Sequence, residues 1–179
     1  GLFLSKKLKN PQYHHFSHSS SMQHIGFIMD GNRRYAKKLS TIVTLWHKKW
    51  SENIETVLGY CLDADISYVS MWALSKENIT ERSEDEIHAI YDIIRSDLPW
   101  LVPKLQKNSI ALEIIGDIWL LPVDIRNILF DAVDATKDGK KMTFILALGY
   151  SGQDEIVRGV KRALAEWVDP ATLTEKEFL

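Results

Sequence analysis

Cysteine is almost missing from the chain: Cys61 is the single one in 179 residues. No disulfide can form within the chain, and a reducing cytosol is permitted. Cys61 lies on the apolar face of an expected helix, which suits a small buried hydrophobe better than a nucleophile. No uninterrupted apolar run reaches the roughly 18 residues of a spanning helix. The opening Gly1-Leu-Phe-Leu-Ser is too short an apolar stretch for a signal peptide. Acidic residues are absent before Asp30, whereas Lys6, Lys7 and Lys9 are present. The start of the chain is therefore a basic arm, expected to be a solvated or disordered tail rather than a membrane contact. Ser17-His-Ser-Ser-Ser21 has linker composition, and Met22 stands just before the first strand as a candidate natural start. Residues 1–21 are expected to be peripheral and 22–179 to form one domain. A strong charge of either sign is missing too: the net charge is −2, so nucleic acid is not an expected partner.

What is present is ordinary for a globular domain, with 45% hydrophobic and 26% charged residues. Two periodicities alternate along it. Ile25-Gly-Phe-Ile-Met29 reads as a buried strand, and a short helix is expected over 32–39. Ile54, Val57, Leu58, Cys61 and Leu62 recur at helical spacing within a helix over 47–64. Tyr68-Val-Ser-Met-Trp-Ala73 is a second strand. Ser83-Glu-Asp-Glu86 is a capping box that opens a helix carrying Ile87, Ile90, Tyr91 and Ile94 on one face. Pro99 and Pro103 are expected to kink or divide it. Strands over 110–115 and 142–148 follow, with helices over 123–136 and 154–167, and a further helix is expected from Thr172. The fold class is α/β: a single domain with a mainly parallel sheet, helices on both faces and an active site at the carboxyl ends of the strands.

The strand ends carry the chemistry. Asp30 at the tip of the first strand is placed to hold Mg²⁺, a hard cation that prefers oxygen ligands. Gly31 lets the backbone approach a ligand. Asn32, Arg33 and Arg34 fall in the first turn of a helix, where N–H groups, the helix dipole and guanidinium donors favour phosphate. A capped helix with exposed arginines would explain an isolated Asp-Gly-Asn. Here a second polar cluster stands at the next strand end: Ser75, Glu77, Asn78 and Arg82. A polar loop before a helix cap accounts for only part of it, and the cluster suits a second phosphate or the orientation of a leaving group.

His24-Ile-Gly-Phe-Ile-Met-Asp-Gly-Asn-Arg-Arg-Tyr-Ala-Lys-Lys38 resembles the first motif of the cis-prenyltransferases, the undecaprenyl and dehydrodolichyl diphosphate synthases. Ala73-Leu-Ser-Lys-Glu-Asn78 with Arg82 resembles that family's Ser-x-Glu-Asn…Arg motif. Ile114-Ile-Gly-Asp117 and Gly149-Tyr-Ser-Gly-Gln-Asp-Glu-Ile156 are similar to its third and fourth strand ends. Several motifs in one consistent order are a specific signal. The resemblance implies condensation of an allylic diphosphate with isopentenyl diphosphate to give a cis-polyprenyl diphosphate, with Mg²⁺ as cofactor. It makes Asp30 the metal and diphosphate acid and Gly31, Asn32, Arg33 and Arg34 the allylic diphosphate loop. It puts His47 near the reacting groups, and Ser75, Asn78 and Arg82 around the condensation centre, with Asn78 handling the proton. It also implies a homodimer or related heterodimer, a cytoplasmic location and membrane contact through the product. An apolar tunnel for the growing chain would be lined by the sheet and the helix of Ile87 to Ile94, with Ala73 deepening it and Trp72 and Trp100 shortening it.

Four departures qualify the resemblance. Val43 stands where the family has an arginine. Trp46 and Trp50 replace glycines that flank the histidine. One extra residue separates Asn78 from Arg82. The family's later arginine motif, which serves isopentenyl diphosphate, is not within the 179 residues, so the chain is expected to be C-terminally incomplete. The alternative function is a non-catalytic prenyl-diphosphate-binding homologue or partner subunit. A phosphotransferase using Asp30 as nucleophile is disfavoured, because Asn32 stands where a second acid is typical.

Overall fold

The structure, a computed structural model, describes residues 22–29 and 43–166, the first nine of the latter through their backbone. Strand β1 is His24–Ile28 and helix α1 is Val43–Asp63, which starts four residues before the expected bound at 47. Strand β2, Tyr68–Ser75, runs two residues past Ala73. It feeds directly into a short helix, α2, Lys76–Glu81, which was not among the expected helices. Helix α3, Glu84–Lys107, is continuous for 24 residues and contains Pro99 and Pro103. Strand β3 is Ile110–Ile115 and helix α4 is Val123–Thr136, both at their expected bounds. Strand β4, Met142–Tyr150, leads into helix α5, Gly152–Ala165. The expected helices over 32–39 and after Thr172 lie outside the described residues.

The four strands form one sheet in the order β1-β2-β4-β3, and every pairing is parallel. Parallel strands need crossovers, which here carry α1 after β1, α2 and α3 after β2, and α4 after β3. The register sorts the side chains by face. Ile25, Val69, Phe144 and Leu112 form one cross-strand row, and Phe27, Met71, Leu146 and Ile114 the next. Val69, Met71, Leu112, Phe144 and Leu146 are buried. They share one core with Ile54, Leu58 and Cys61 of α1, Tyr91, Ile94, Leu98, Leu101 and Leu105 of α3, and Ile125 and Leu129 of α4. Burial of each such side chain contributes about 1.5–3 kcal/mol. Cys61 is therefore the expected buried hydrophobe, and burial raises its thiol pKa.

The opposite face of the sheet is apolar as well. Its row Ile28, Trp72, Ala147 and Ile115 leaves Ile28, Trp72 and Ile115 exposed among the described residues. Apolar Ile156, Val157, Val160 and Leu164 of α5 are exposed as well.

Candidate active site

Because all strands are parallel, β1, β2, β3 and β4 bring their carboxyl ends to one edge. β1 ends at Ile28, two residues before Asp30. Asp30, Gly31, Asn32, Arg33 and Arg34 lie outside the described residues, and His47 is described only through its backbone in α1. The second cluster is fully described. Ser75, Asn78 and Arg82 come together on and around α2.

Ser75 is the N-cap of α2. Its Oγ accepts a 3.0 Å bond from the backbone N–H of Asn78, satisfying one of the helix's free donors. At the other end Arg82 is the C-cap, and its backbone N–H bonds the Asn78 carbonyl. Its Nε donates to Asn78 Oδ1 at 2.9 Å. The one-residue insertion thus puts the two side chains at i and i+4, where they meet. Asn78 and Arg82 are half-buried, and Ser75 is buried.

This pairing fixes the chemistry of Asn78. Its amide oxygen is taken by the guanidinium, leaving the amide N–H₂ as the group able to reach a ligand. A cation on the oxygen polarises the amide and strengthens its N–H donors. Glu77, exposed, is bonded by its own backbone N–H and by the Ser151 and Ser75 hydroxyls, which hold its carboxyl below the usual carboxylate range. The Ser75 hydroxyl is thereby committed to both Glu77 and the helix cap.

The β4 end closes the edge. Gly149 has φ +61°, and a Cβ there would lie 2.8 Å from the Asp117 carbonyl oxygen and 3.5 Å from Ile79 Cδ1. The Asp117 N–H bonds the Gly149 carbonyl at 3.1 Å. Gly116, at φ +111°, approaches the Leu148 carbonyl even more closely. These glycines let the ends of β3 and β4 and the α2 side chain Ile79 pack against one another. Tyr150 donates to Glu155 Oε2 at 2.6 Å, a bond that raises its phenol pKa, and its ring meets Trp72 edge-on at 6.1 Å.

One connection was not foreseen from the sequence. Lys76 Nζ donates to Asp154 Oδ1 at 2.7 Å, joining the first residue of α2 to the first turn of α5. Arg158 Nε bonds the other oxygen, Asp154 Oδ2, at 3.1 Å. The Lys76 bond above all, with the Arg158 and Lys161 charges behind it, lowers the Asp154 pKa. A lysine directly after the capping serine was the available signal.

Among the described residues no group of three or more His, Cys, Asp or Glu side chains is placed to hold a metal. No helix among them is long and apolar enough to cross a membrane. Trp72 and Trp100 are both exposed and do not reach into the buried core; the Lys104 ammonium lies over the Trp100 ring.

Comparison with known proteins adds an independent line. The family model described as putative undecaprenyl diphosphate synthase matches residues 28–178. An isoprenyl transferase of Clostridium perfringens (strain 13 / Type A) is 33% identical over 144 residues, covering 80% of this chain and 56% of the relative. The Homo sapiens dehydrodolichyl diphosphate synthase complex subunit DHDDS is 33% identical over 162 residues, covering 86% of this chain and 48% of its own. The chain spans about half the length of these curated relatives. The crystal structure of lavandulyl diphosphate synthase from Lavandula x intermedia, in complex with dimethylallyl diphosphate, superposes with a TM-score of 0.75 at 28% identity. That match covers 87% of this chain and 68% of the other. A probable undecaprenyl diphosphate synthase from Campylobacter jejuni gives a TM-score of 0.70 at 27% identity, over 89% of this chain and 68% of that one.

Proposed function

The chain belongs to the cis-prenyltransferase family, and from that premise we propose that it serves prenyl transfer from an allylic diphosphate to isopentenyl diphosphate. The observation that carries this reading is the bonded unit of Ser75, Asn78 and Arg82 at the carboxyl edge, the edge to which β1 leads the chain just before Asp30. In the reaction the allylic carbon–oxygen bond breaks and diphosphate leaves with the electron pair. The double bond of isopentenyl diphosphate forms the new carbon–carbon bond, and a proton departs as a cis double bond is set.

The roles of the residues follow from their chemistry. Gly31, Asn32, Arg33 and Arg34 cradle the allylic diphosphate. Asn78 donates from its polarised amide to a diphosphate oxygen, Arg82 adds positive charge beside it, and Ser75 holds the short helix that carries them. The bond from Arg82 favours this donor role for Asn78 over direct proton acceptance. The family resemblance assigns His47 a role near the reacting groups. The donor set fits Mg²⁺ in the mode where one protein carboxylate joins substrate phosphate oxygens and water. Asp30 would supply that carboxylate, and the ion would neutralise charge on the departing diphosphate.

A homodimer or related heterodimer, a cytoplasmic location and membrane contact through the product belong to the same proposal. A second reading, a prenyl-diphosphate-binding partner subunit, is favoured by Val43 and by Trp46-His-Lys-Lys-Trp50, where indoles replace flanking glycines. Radiolabelled isopentenyl diphosphate with farnesyl or geranyl diphosphate separates them. Incorporation that is lost in Asp30→Ala supports the enzyme. Saturable prenyl-diphosphate binding without incorporation supports the subunit, and neither outcome discards both.

A further inference from the structure

The short helix α2 holds Asn78 and ends on its C-cap Arg82. Its six residues are fewer than an isolated helix needs by a wide margin, and none of them is fully buried. Ile79 packs against the core, and Ser75 caps one end. Thr80 and Glu81 are exposed. Among the described residues, its further side-chain ties run to α5 and the turn before it: Lys76 to Asp154, and Glu77 to the Ser151 hydroxyl.

We propose that the Lys76–Asp154 ion pair is a positioning pair that sets α2 on the sheet edge and thereby holds the Asn78–Arg82 unit in place for a diphosphate. Lys76 and Asp154 act through Asn78 and Arg82 and do not themselves touch the substrate.

Three observations carry this. First, the pair joins residues 78 apart in sequence and ties α2 to α5 just beyond the point where the sheet pairs Ser75 with Tyr150. Second, Asp154 is prepared for it. Its second oxygen is already held by Arg158 one turn along α5, which fixes the carboxylate and directs Oδ1 to Lys76. Third, Lys76 is the first residue of α2, and Arg82 is its C-cap. A tilt that released Lys76 would move Asn78, less than one turn away, by ångströms, and misplacements of about 1 Å are enough to cost catalysis about a hundredfold. The side chains are partly exposed, 35% for Lys76 and 24% for Asp154, so the pair acts by geometry more than by net stability.

The inference rests on the function proposed above, and its test separates the two. Four full-chain variants are compared with wild type: Lys76→Met, Asp154→Ala, the double variant, and Lys76→Arg, which keeps the cation. Amide hydrogen exchange over residues 78–82 and affinity for farnesyl diphosphate are read on each, with the melting temperature as a check on folding. Each single loss is expected to speed that exchange about fivefold, because local opening is what exchange reports, and to weaken affinity about tenfold. The double variant is expected to be no worse than either single, as for groups acting through one contact, and Lys76→Arg is expected to stay near wild type.

Unchanged exchange in the single variants overturns the proposal. So does weakened affinity in Lys76→Met with normal affinity in Asp154→Ala, which would make Lys76 a direct ligand. If wild type binds no prenyl diphosphate, the proposed function falls, while the exchange measurement still decides whether the pair holds α2.

Discussion

Asn78 is the residue where chemistry and geometry meet most closely. The sequence offers it as a polar group near a strand end, and the Arg82 bond to its amide oxygen turns it toward donation. Loss of that charge has a defined expected cost. Arg82→Met should weaken binding of an allylic diphosphate by about 1.5–3 kcal/mol, the usual worth of a charged hydrogen bond, as titration calorimetry would record. Lys at the same position should recover only part, because it lacks the Nε–H that Arg82 donates. Ser75→Ala should act differently. It removes the cap of α2 and should cost about 0.5–2 kcal/mol in urea unfolding. That Ser75, Asn78 and Arg82 belong together was legible from their spacing at a strand end. That the Ser75 hydroxyl is committed to Glu77 and to a backbone N–H was not, because it depends on a helix that the polar sequence 76–81 does not announce by any apolar periodicity.

At the scale of elements, apolar pattern and turn chemistry made most of the fold legible. β3 and α4 begin and end at Ile110, Ile115, Val123 and Thr136 as expected, since Asn108-Ser109, Gly116-Asp117 and Pro122 punctuate them. The prolines of α3 misled. Pro99 and Pro103 are exposed, so the carbonyls they leave unbonded face water, while Leu98, Leu101 and Leu105 pack into the core beneath. Tertiary packing on that face outweighs the local penalty of about 3 kcal/mol. The early start of α1 was legible too: Val43, Trp46 and Trp50 continue the stripe of Ile54, Val57, Leu58 and Cys61 backward at helical spacing, although the expected helix began only at 47. The junction of β3 with β4 yields an element-scale prediction. Gly116 has φ +111°, and a Cβ there would sit 2.1 Å from the Leu148 carbonyl oxygen. Gly116→Ala should therefore cost more than about 2 kcal/mol in chemical denaturation, and a near-neutral result would mean that the two strand ends are not locked together.

At the scale of the whole molecule, the parallel sheet gathers its polar strand ends on one edge and packs one face on the core of α1, α3 and α4. Stability should respond to acid through the carboxylates tied at that edge. Asp154 is held below the ordinary carboxylate range by Lys76, and Glu77 by backbone and hydroxyl donors. A folded-state pKa below the unfolded one contributes stability above the unfolded value, about 4, and loses it as pH falls through the folded value. Melting temperature should thus drop as pH is lowered from about 5 toward 2, and Asp154→Asn should flatten part of that slope. The family of this chain was legible from the order of its strand-end motifs, and the matching family model spans residues 28–178. The exposure, among the described residues, of Ile28, Trp72 and Ile115 and of the apolar stripe of α5 was not, because burial depends on what packs against a surface as much as on the surface itself. Binding of an allylic diphosphate is proposed for Asp30 to Arg34 together with Asn78 and Arg82 at the strand-end edge. Calorimetric titration of farnesyl diphosphate, with and without Mg²⁺, into wild type and Asp30→Ala tests it most directly. Saturable, Mg²⁺-dependent binding to wild type and its loss in Asp30→Ala are expected; no binding to wild type, or equal binding to both, would overturn the proposed role of this edge.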